Sequence, residues 1–195
     1  MSKGQDTKTA ILDQAVGIAS EVGFTGLTIG QLADRTGMSK SGLFAHFRSK
    51  EALQLETLAR ARARLTDLVV RPTLATPRGV PRVRALFDLW LRWATEVLEG
   101  GCIFVTGSIE YDDRPGPMRD ALVQGEKDWT EFIVTVAGTA VSEGDFKPDL
   151  DTEQFAFTVQ ALMYGYHHAS RLMHDPKALD RTRLAFDQLV ESARG

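Results

Sequence analysis

The sequence predicts an all-α protein with a small N-terminal helical domain and a larger C-terminal one. Apolar residues recur at the three- and four-residue spacing of helices along most of the chain. No stretch alternates apolar and polar residues as a strand does, and glycines and prolines separate the periodic segments. We expect a first domain over residues 1–50, a connecting helix over 50–70 and a second domain over 71–195.

Composition limits the class of protein. The 195 residues, 43% of them apolar, suffice to bury a substantial core. Cys102 is the only cysteine, which excludes a disulfide framework and suits a reducing compartment. No apolar run approaches the ~18–20 residues needed to cross a membrane, and the N-terminus lacks the pattern of a signal peptide. We therefore expect a soluble, cytoplasmic protein without membrane contact.

The first predicted helix runs from about Thr9 to Val22. Its apolar residues form one stripe, and Gly23 ends it. The polar segment before it is expected to fray, which leaves Lys3 and Lys8 as an arm available to phosphates.

Two short helices joined by a tight turn follow. Thr28 begins a T-x-x-Q capping box at the start of the first, and Gly37 ends it because glycine readily adopts the left-handed conformation. Ser39 caps the second, whose inward residues Leu43 and Phe47 lie one turn apart. Such a pair is a helix-turn-helix, whose second helix can enter the major groove of DNA.

The outward face of that second helix is rich in hydrogen-bond donors. Lys40 and His46 can donate to phosphates or base edges, and Gly42 lets the backbone approach DNA closely. Lys50, in the first turn of the next helix, adds a phosphate site together with free backbone N–H groups. The alternative is a polar helical hairpin inside some larger helical protein. The candidate DNA-binding residues are Thr28, Ser39, Lys40, Ser41, Gly42, Phe44, His46 and Lys50.

This stretch resembles the TetR family of transcriptional regulators. The resemblance lies in Leu32, Ala33 and Gly37 and in the segment Ser39–Leu53, SKSGLFAHFRSKEAL. It implies a sequence-specific DNA-binding transcriptional regulator. The family usually has tyrosine where this chain has Phe44, so a hydroxyl that typically meets a phosphate is absent. Phe44 is left either to contact a thymine methyl or to pack.

Charge is distributed unevenly along the chain. Residues 1–71 hold ten Lys/Arg and seven Asp/Glu, whereas residues 72–195 hold thirteen and nineteen, within a net charge of −3. A cationic end and an anionic remainder are expected when only one end meets phosphate. The three arginines of Arg60–Arg64 favour a solvated face of the fourth helix over a nucleic-acid patch.

The second domain is predicted to contain further helices. Prolines and glycines between Pro72 and Pro81 mark its boundary. An apolar segment over 102–109 and an acidic, proline-rich turn over 112–117 interrupt it. The predicted helices cover about 81–98, 118–141, 151–173 and 177–193.

The predicted helix over 151–173 is apolar on two sides. Phe155 and Val159 line one side, and Phe157 and Tyr164 line another, so one side can meet the core while the other needs a partner. In TetR-like proteins the last two long helices of each subunit pair to form a four-helix dimer interface, and the resemblance implies the same homodimer here. Two recognition helices ~34–36 Å apart read a palindromic operator in double-stranded DNA.

The chain offers poor material for a metal or catalytic centre. His167 and His174 lie two helical turns apart, ~10 Å along the axis, which is too far for two ligands of one zinc ion. The sequence has no phosphate-binding glycine loop, no G-x-S-x-G and no C-x-x-C. Asp112 and Asp113 suit a turn, and Cys102 suits a small buried position. We expect no metal, no cofactor and no enzymatic activity.

Bulky aromatic residues are numerous in the second half of the chain. Aromatic stripes are usually core, but together with the resemblance they predict a mostly apolar pocket for a small-molecule effector. The segment Gly101–Asp120 resembles one branch of TetR ligand domains without naming a ligand. The candidate ligand-binding residues are Trp90, Trp93, Phe104, Trp129, Phe132, Tyr164 and His167.

The function expected from these observations is that of a repressor released from its operator by a small apolar or aromatic effector. Two other classes of protein compete with it. A helical small-molecule-binding or chaperone-like protein would bind no DNA. A helical enzyme would need a catalytic constellation, which the sequence does not display.

Overall fold

The computed structural model describes residues 3–195, except the side chains of Lys3 and Gln5. Within that range the regular elements are helices, and an isolated antiparallel bridge joins Phe146 to Arg194. The predicted all-α class is confirmed. The helices are α1 (Lys3–Gly26), α2 (Ile29–Thr36), α3 (Lys40–His46), α4 (Lys50–Leu65), α5 (Arg71–Ala75), α6 (Val80–Arg92), α7 (Ile103–Tyr111), α8 (Pro117–Ser142), α9 (Thr152–His167) and α10 (Ala178–Ala193).

Wider, π-type turns extend three of these helices. Thr66–Val70 links α4 to α5, Trp93–Val97 follows α6, and His168–Leu172 follows α9. The helical run that begins at Lys50 therefore continues beyond Pro72, where the sequence marks a boundary. Proline is tolerated there because it lies in the first turn of α5, where a missing N–H costs little.

The chain forms two compact units. The first comprises the residues up to Thr66 together with Thr95–Val123, and the second comprises Asp67–Ala94 together with Gln124–Gly195. Helix α7, which the sequence presents only as an apolar segment, belongs to the first unit and packs against α1. The sequence-based division at residues 50 and 71 stays a prediction.

Helix α1 breaks where predicted but starts earlier than predicted. Gly23 departs from helical geometry, with φ 75° and ψ 169°. The helix begins at Lys3, and Lys8 forms an ion pair with Glu56 at 2.5 Å and lies 5.5 Å from the centre of the Phe47 ring. The expectation of a free arm is therefore wrong for Lys8. The side chain of Lys3 lies outside the described part of the chain.

The segment leading into α7 meets α1 at very short range. The Gly100 N–H donates to the Ser20 hydroxyl at 3.2 Å. A Cβ built on Gly100 would lie 1.7 Å from the Ser20 carbonyl oxygen, and one on Gly107 would lie 2.8 Å from the Phe24 ring. Only a residue without a side chain allows the two backbones to approach this closely.

The arginines of α4 are anchored within the first unit. Arg60 donates to both oxygens of Asp13, at 2.8 and 2.9 Å, and Arg64 lies 3.8 Å from the same carboxylate. Arg62 donates to the Ala121 carbonyl at 2.6 Å. The interpretation of these arginines as a solvated face is therefore wrong, because their charges hold α4 against α1 and α8.

The second unit is held by aromatic stacking and by a side-chain cap from a distant loop. The rings of Phe87 in α6 and Phe186 in α10 stack with centroids 3.8 Å apart. Arg84 forms an ion pair with Asp187 between the same two helices.

The start of α6 is capped by a residue far away in sequence, because Gly79 has no side chain to cap it. The first N–H of α6, from Val80, donates to the Asp145 carboxylate at 2.8 Å. Glycine also fits here because a Cβ would lie 2.1 Å from that carboxylate.

Thr73 carries a buried hydroxyl that forms no hydrogen bond within residues 3–195. Because valine has nearly the same shape without the polar atom, Thr73→Val is expected to raise the free energy of unfolding by about 1 kcal/mol. Thr182→Val is the matched control, because the buried Thr182 hydroxyl donates to the Ala178 carbonyl at 2.7 Å. We expect Thr182→Val to lower the free energy of unfolding, measured with urea, by about 1 kcal/mol. Equal losses in both variants would contradict the assignment.

Candidate nucleic-acid interface

The start of α2 is fixed by the predicted capping box. The Gln31 N–H donates to the Thr28 hydroxyl oxygen at 3.2 Å, and the Thr28 N–H donates to the Gln31 side-chain oxygen at 3.1 Å. Leu32 and Ala33 are buried, and Gly37 ends the helix at a φ of 68°. The cap and the left-handed glycine thus set the length and direction of the first helix of the pair.

Helix α3 starts at a serine cap and is anchored by two apolar residues. The Gly42 N–H donates to the Ser39 hydroxyl at 3.1 Å, and the hydroxyl of Ser41 lies 3.1 Å from that of Ser39. Leu43 is fully buried and Phe47 nearly so. The inward face is therefore the predicted one, and it leaves the opposite face of α3 free.

That outward face is exposed and carries the predicted candidates. Lys40, Ser41 and Ala45 are exposed, whereas His46 is half-buried beside Phe47. The Phe44 side chain is 59% exposed. This exposure does not fit packing in the core of the subunit, and contact between Phe44 and a thymine methyl stays a prediction.

A lysine of α3 lies beside the N-terminus of α2. A Cβ built on Gly30 would lie 3.9 Å from Lys40 Cε and 3.8 Å from the Thr28 hydroxyl oxygen. The Lys40 ammonium group and the Thr28 hydroxyl therefore both lie close to Gly30, in the first turn of α2. Hydrogen-bond donors with a positive charge at a helix N-terminus suit a phosphate oxygen.

A second cation lies at the start of α4. Ser49 caps this helix by accepting from the Ala52 N–H at 3.0 Å. The Lys50 ammonium donates to the Thr25 carbonyl at 2.6 Å and is exposed. An ammonium has three donors, so this bond fixes the position of Lys50 and leaves donors for an anion.

Arg48 is a candidate that the sequence reasoning missed. It is exposed in the turn between α3 and α4, and within residues 3–195 it forms neither a hydrogen bond nor an ion pair. Arg48 lies between the buried Phe47 and the helix cap Ser49, so its side chain is not part of the apolar face of α3. This position in the sequence could have identified Arg48 as a candidate. Three exposed cations thus lie in or directly after α3 along the chain, Lys40, Arg48 and Lys50.

The candidate effector residues differ in burial and in location. Trp90 and Trp93 are buried in the second unit, where the Trp90 ring meets that of Tyr166 edge-on at 6.1 Å. Phe104 is half-buried on α7 in the first unit. The others are half-buried residues of the second unit, Trp129, Phe132, Tyr164 and His167.

One cavity within the second unit is too small for an effector. It has a volume of about 10 Å³ and is lined by apolar side chains of α6, α8, α9 and α10, among them Val83, Ile133 and Phe155. A volume of about 10–15 Å³ holds a single water molecule. None of the candidate effector residues lines it, so this cavity does not bear on their role.

His167 at the end of α9 gives the fold a pH dependence. Burial, together with the positive charge of Arg171, lowers the pKa of His167 below its ordinary value of 6.5. The unfolded chain therefore takes up a proton before the folded one does. Stability from this residue is fully present above about pH 6.5 and decreases as the pH falls through that value. The melting temperature of His167→Gln should decrease less than that of wild type between pH 8 and pH 5, and parallel curves would contradict this.

Nowhere in residues 3–195 do three or more histidine, cysteine, aspartate or glutamate side chains gather as ligands of a metal ion. Each helix in the same range is too short or too polar to reach across a bilayer.

A capped helix-turn-helix with an exposed second helix and flanking cations is characteristic of one class, the helix-turn-helix DNA-binding proteins. Residues 11–57 match the family model "Bacterial regulatory proteins, tetR family", and residues 79–186 match "Tetracyclin repressor-like, C-terminal domain". The second match alone covers more than half of the chain. The chain belongs to the tetR family of bacterial regulatory proteins.

Similar proteins agree with this assignment. The tetracycline repressor protein class C of Escherichia coli is 37% identical over 71 residues, which cover 36% of this chain and 30% of that protein. A TetR transcriptional regulator from Chloroflexus aurantiacus J-10-fl has a TM-score of 0.85 at 26% identity, over 98% of this chain and 96% of its own. AibR, solved in complex with isovaleryl coenzyme A and operator DNA, has a TM-score of 0.67 at 20% identity, over 82% and 85%.

Proposed function

We propose that this chain is a sequence-specific, DNA-binding transcriptional repressor. The observation that carries the proposal is the exposed outer face of α3, held by its serine cap and bordered by Lys40, Arg48 and Lys50. Phosphates would be contacted by the cations and by Thr28. Base edges would be read by Ser41, Phe44 and His46, with Gly42 allowing close approach. Such a protein works where the DNA is, in the cytoplasm of a bacterium, and needs no catalytic centre.

The repressor is proposed to act as a homodimer through α9 and α10. Phe157 on α9 and Leu172 in the π-type turn that follows α9 are 68% and 69% exposed. Leu184 on α10 is 60% exposed. Large exposed apolar side chains on adjacent helices suit a partner surface, and a second copy supplies the same surface by two-fold symmetry. The dimer would present two copies of α3 to a palindromic operator.

Release from DNA is proposed to follow the binding of a small, largely apolar or aromatic effector. One support is the number of aromatic residues in this chain that are buried or half-buried. A second is the similar structure of AibR, which was solved in complex with isovaleryl coenzyme A and operator DNA. An effector shifts the equilibrium between the DNA-binding conformation and the released one only by its difference in affinity for these two states. This difference is typically ~1–3 kcal/mol. The helical run from α4 to α5 passes from the first unit to the second and is the proposed lever.

Selection of bound duplexes from a random DNA pool tests the proposal. The purified protein should enrich an inverted repeat whose half-sites lie about 10 base pairs apart, and sedimentation should show a dimer. Candidate effectors added to the bound complex should release it. Enrichment of no sequence, by protein that is folded and dimeric, would favour the helical small-molecule-binding protein without DNA contact.

A further inference from the structure

The short segment Phe24–Thr25, between the break in α1 and the start of α2, is bonded to a helix far away in sequence. The Phe24 N–H donates to Glu110 Oε2 at 2.8 Å, and the Thr25 hydroxyl donates to Glu110 Oε1 at 2.6 Å. The Thr25 N–H reaches the same Oε1 at 3.4 Å. Glu110 stands in the last turn of α7 and is half-buried. Its carboxylate thus caps the N–H groups that the break at Gly23 leaves free.

The carbonyl groups of the same segment are bonded to α4. The Gln54 side-chain amide donates to the Phe24 carbonyl at 2.6 Å, and the Lys50 ammonium donates to the Thr25 carbonyl at 2.6 Å. The segment therefore joins a carboxylate of α7 on one side to Lys50, a proposed phosphate contact, on the other. Two peptide units thus connect the two side chains.

The fit around the carboxylate is close. Gly23 has a positive φ, and a Cβ built there would lie 2.0 Å from Glu110 Oε1. Burial, followed by the negative charges of Glu110 and Glu51, raises the pKa of the neighbouring Tyr111. Glu51, in the first turn of α4, is thus one of the charges that act on Tyr111.

We propose that Glu110 is a positioning residue for DNA binding. By fixing Phe24 and Thr25, it holds the start of α2 and the ammonium of Lys50 in the arrangement that phosphates require, although Glu110 itself lies on a helix outside the helix-turn-helix. The proposal rests on the proposed DNA-binding function. Without the carboxylate, Phe24 and Thr25 would lose their three hydrogen bonds to Glu110. The Lys50 side chain would then have to be ordered when the protein binds DNA.

The test is the affinity of Glu110→Ala for the selected operator duplex, measured by fluorescence anisotropy at a temperature where circular dichroism shows full helicity. Charge-assisted bonds of this kind predict a loss of about tenfold. Glu110→Gln should lose about threefold, because its amide oxygen accepts one N–H and its NH₂ group can donate to the Thr25 hydroxyl oxygen. Glu99→Ala is the matched control, since Glu99 is exposed in the same unit and its side chain forms no hydrogen bond or ion pair within residues 3–195. It should bind as wild type does.

A double-mutant cycle separates positioning from general destabilisation. If Glu110 acts through Lys50, Glu110→Ala should cost clearly less in a Lys50→Ala background than in wild type. An equal cost in both backgrounds, or wild-type affinity of Glu110→Ala, would overturn the proposal. Wild-type protein that selects no DNA would instead overturn the proposed function.

Amide hydrogen exchange supplies a readout that does not need DNA. The Phe24 amide should exchange faster in Glu110→Ala, whereas amides in the middle of α8 should keep their wild-type rates. If Glu110→Ala does not fold, Thr25→Val serves in its place, because it removes only the hydroxyl donor and should still weaken operator binding about threefold. Unchanged exchange at Phe24, or unchanged binding by Thr25→Val, would contradict the positioning role.

Discussion

Gly100→Ala is expected to lower the free energy of unfolding by about 3 kcal/mol, near the upper end of single overpacking substitutions. A Cβ at this position would lie 1.7 Å from the Ser20 carbonyl oxygen and 2.4 Å from the Glu21 nitrogen. Both atoms belong to the backbone of α1, so no rotation of a side chain can relieve the overlap. The bond from the Gly100 N–H to the Ser20 hydroxyl should break as well. Urea unfolding followed by circular dichroism measures the change.

Gly138→Ala is the control for Gly100→Ala. Gly138 lies inside α8, and nothing comes within 4 Å of a Cβ built there. Alanine in a helix interior is more stable than glycine by roughly 0.5–1 kcal/mol, so this variant should be stabilised. If Gly100→Ala unfolds at the urea concentration of wild type, the close docking of residues 95–123 on α1 is wrong.

Phe44→Ala is expected to weaken operator binding by roughly tenfold or more, because one contacted base pair contributes about 1–3 kcal/mol and the dimer has two such contacts. Phe44 is 59% exposed and has no hydroxyl. An apolar ring can contact the C5-methyl group of thymine, so thymine is the base that we expect Phe44 to contact. Phe44→Ala should also lose the preference for thymine at one position of each half-site. The measurement is anisotropy titration on the selected duplex.

Replacing that thymine with deoxyuridine removes only the methyl group and serves as the reciprocal test. The substituted duplex should bind wild type more weakly and Phe44→Ala no differently from the parent duplex. Ala45→Gly changes the neighbouring exposed residue of α3 and should leave the response to deoxyuridine intact. If wild type binds both duplexes equally at every thymine of the operator, Phe44 does not contact a methyl group.

The helix-turn-helix could be predicted from the sequence because its signals are local. The Thr28 capping box, the left-handed Gly37 and the Ser39 cap each join residues no more than a few positions apart. The apolar spacing then fixes which face of α3 points inward. Exposure of Phe44 follows from the same spacing, once Leu43 and Phe47 are buried.

The contacts that hold the rest of the first unit together could not be predicted, because they join residues far apart in sequence. The partners of Glu110 lie 85 and 86 residues away, and Gly100 and Ser20 are separated by 80. The arginines of α4 look like a solvated run until Asp13 is placed beside Arg60, 47 residues away. Helix α7 was missed because its apolar residues show no single stripe. The effector site stays a prediction for the same reason, since aromatic composition does not say which rings meet.

Repeating the DNA selection with Ser41→Asn tests most directly whether two copies of α3 read the operator. Asparagine on a recognition helix favours adenine, because it can bond to both the N6 and the N7 positions of that base. The enriched sequence should change at one base pair of each half-site, at positions related by the two-fold axis, while the half-site spacing stays the same. An unchanged sequence, or a change confined to one half-site, would contradict the reading of DNA by this helix in a symmetric dimer.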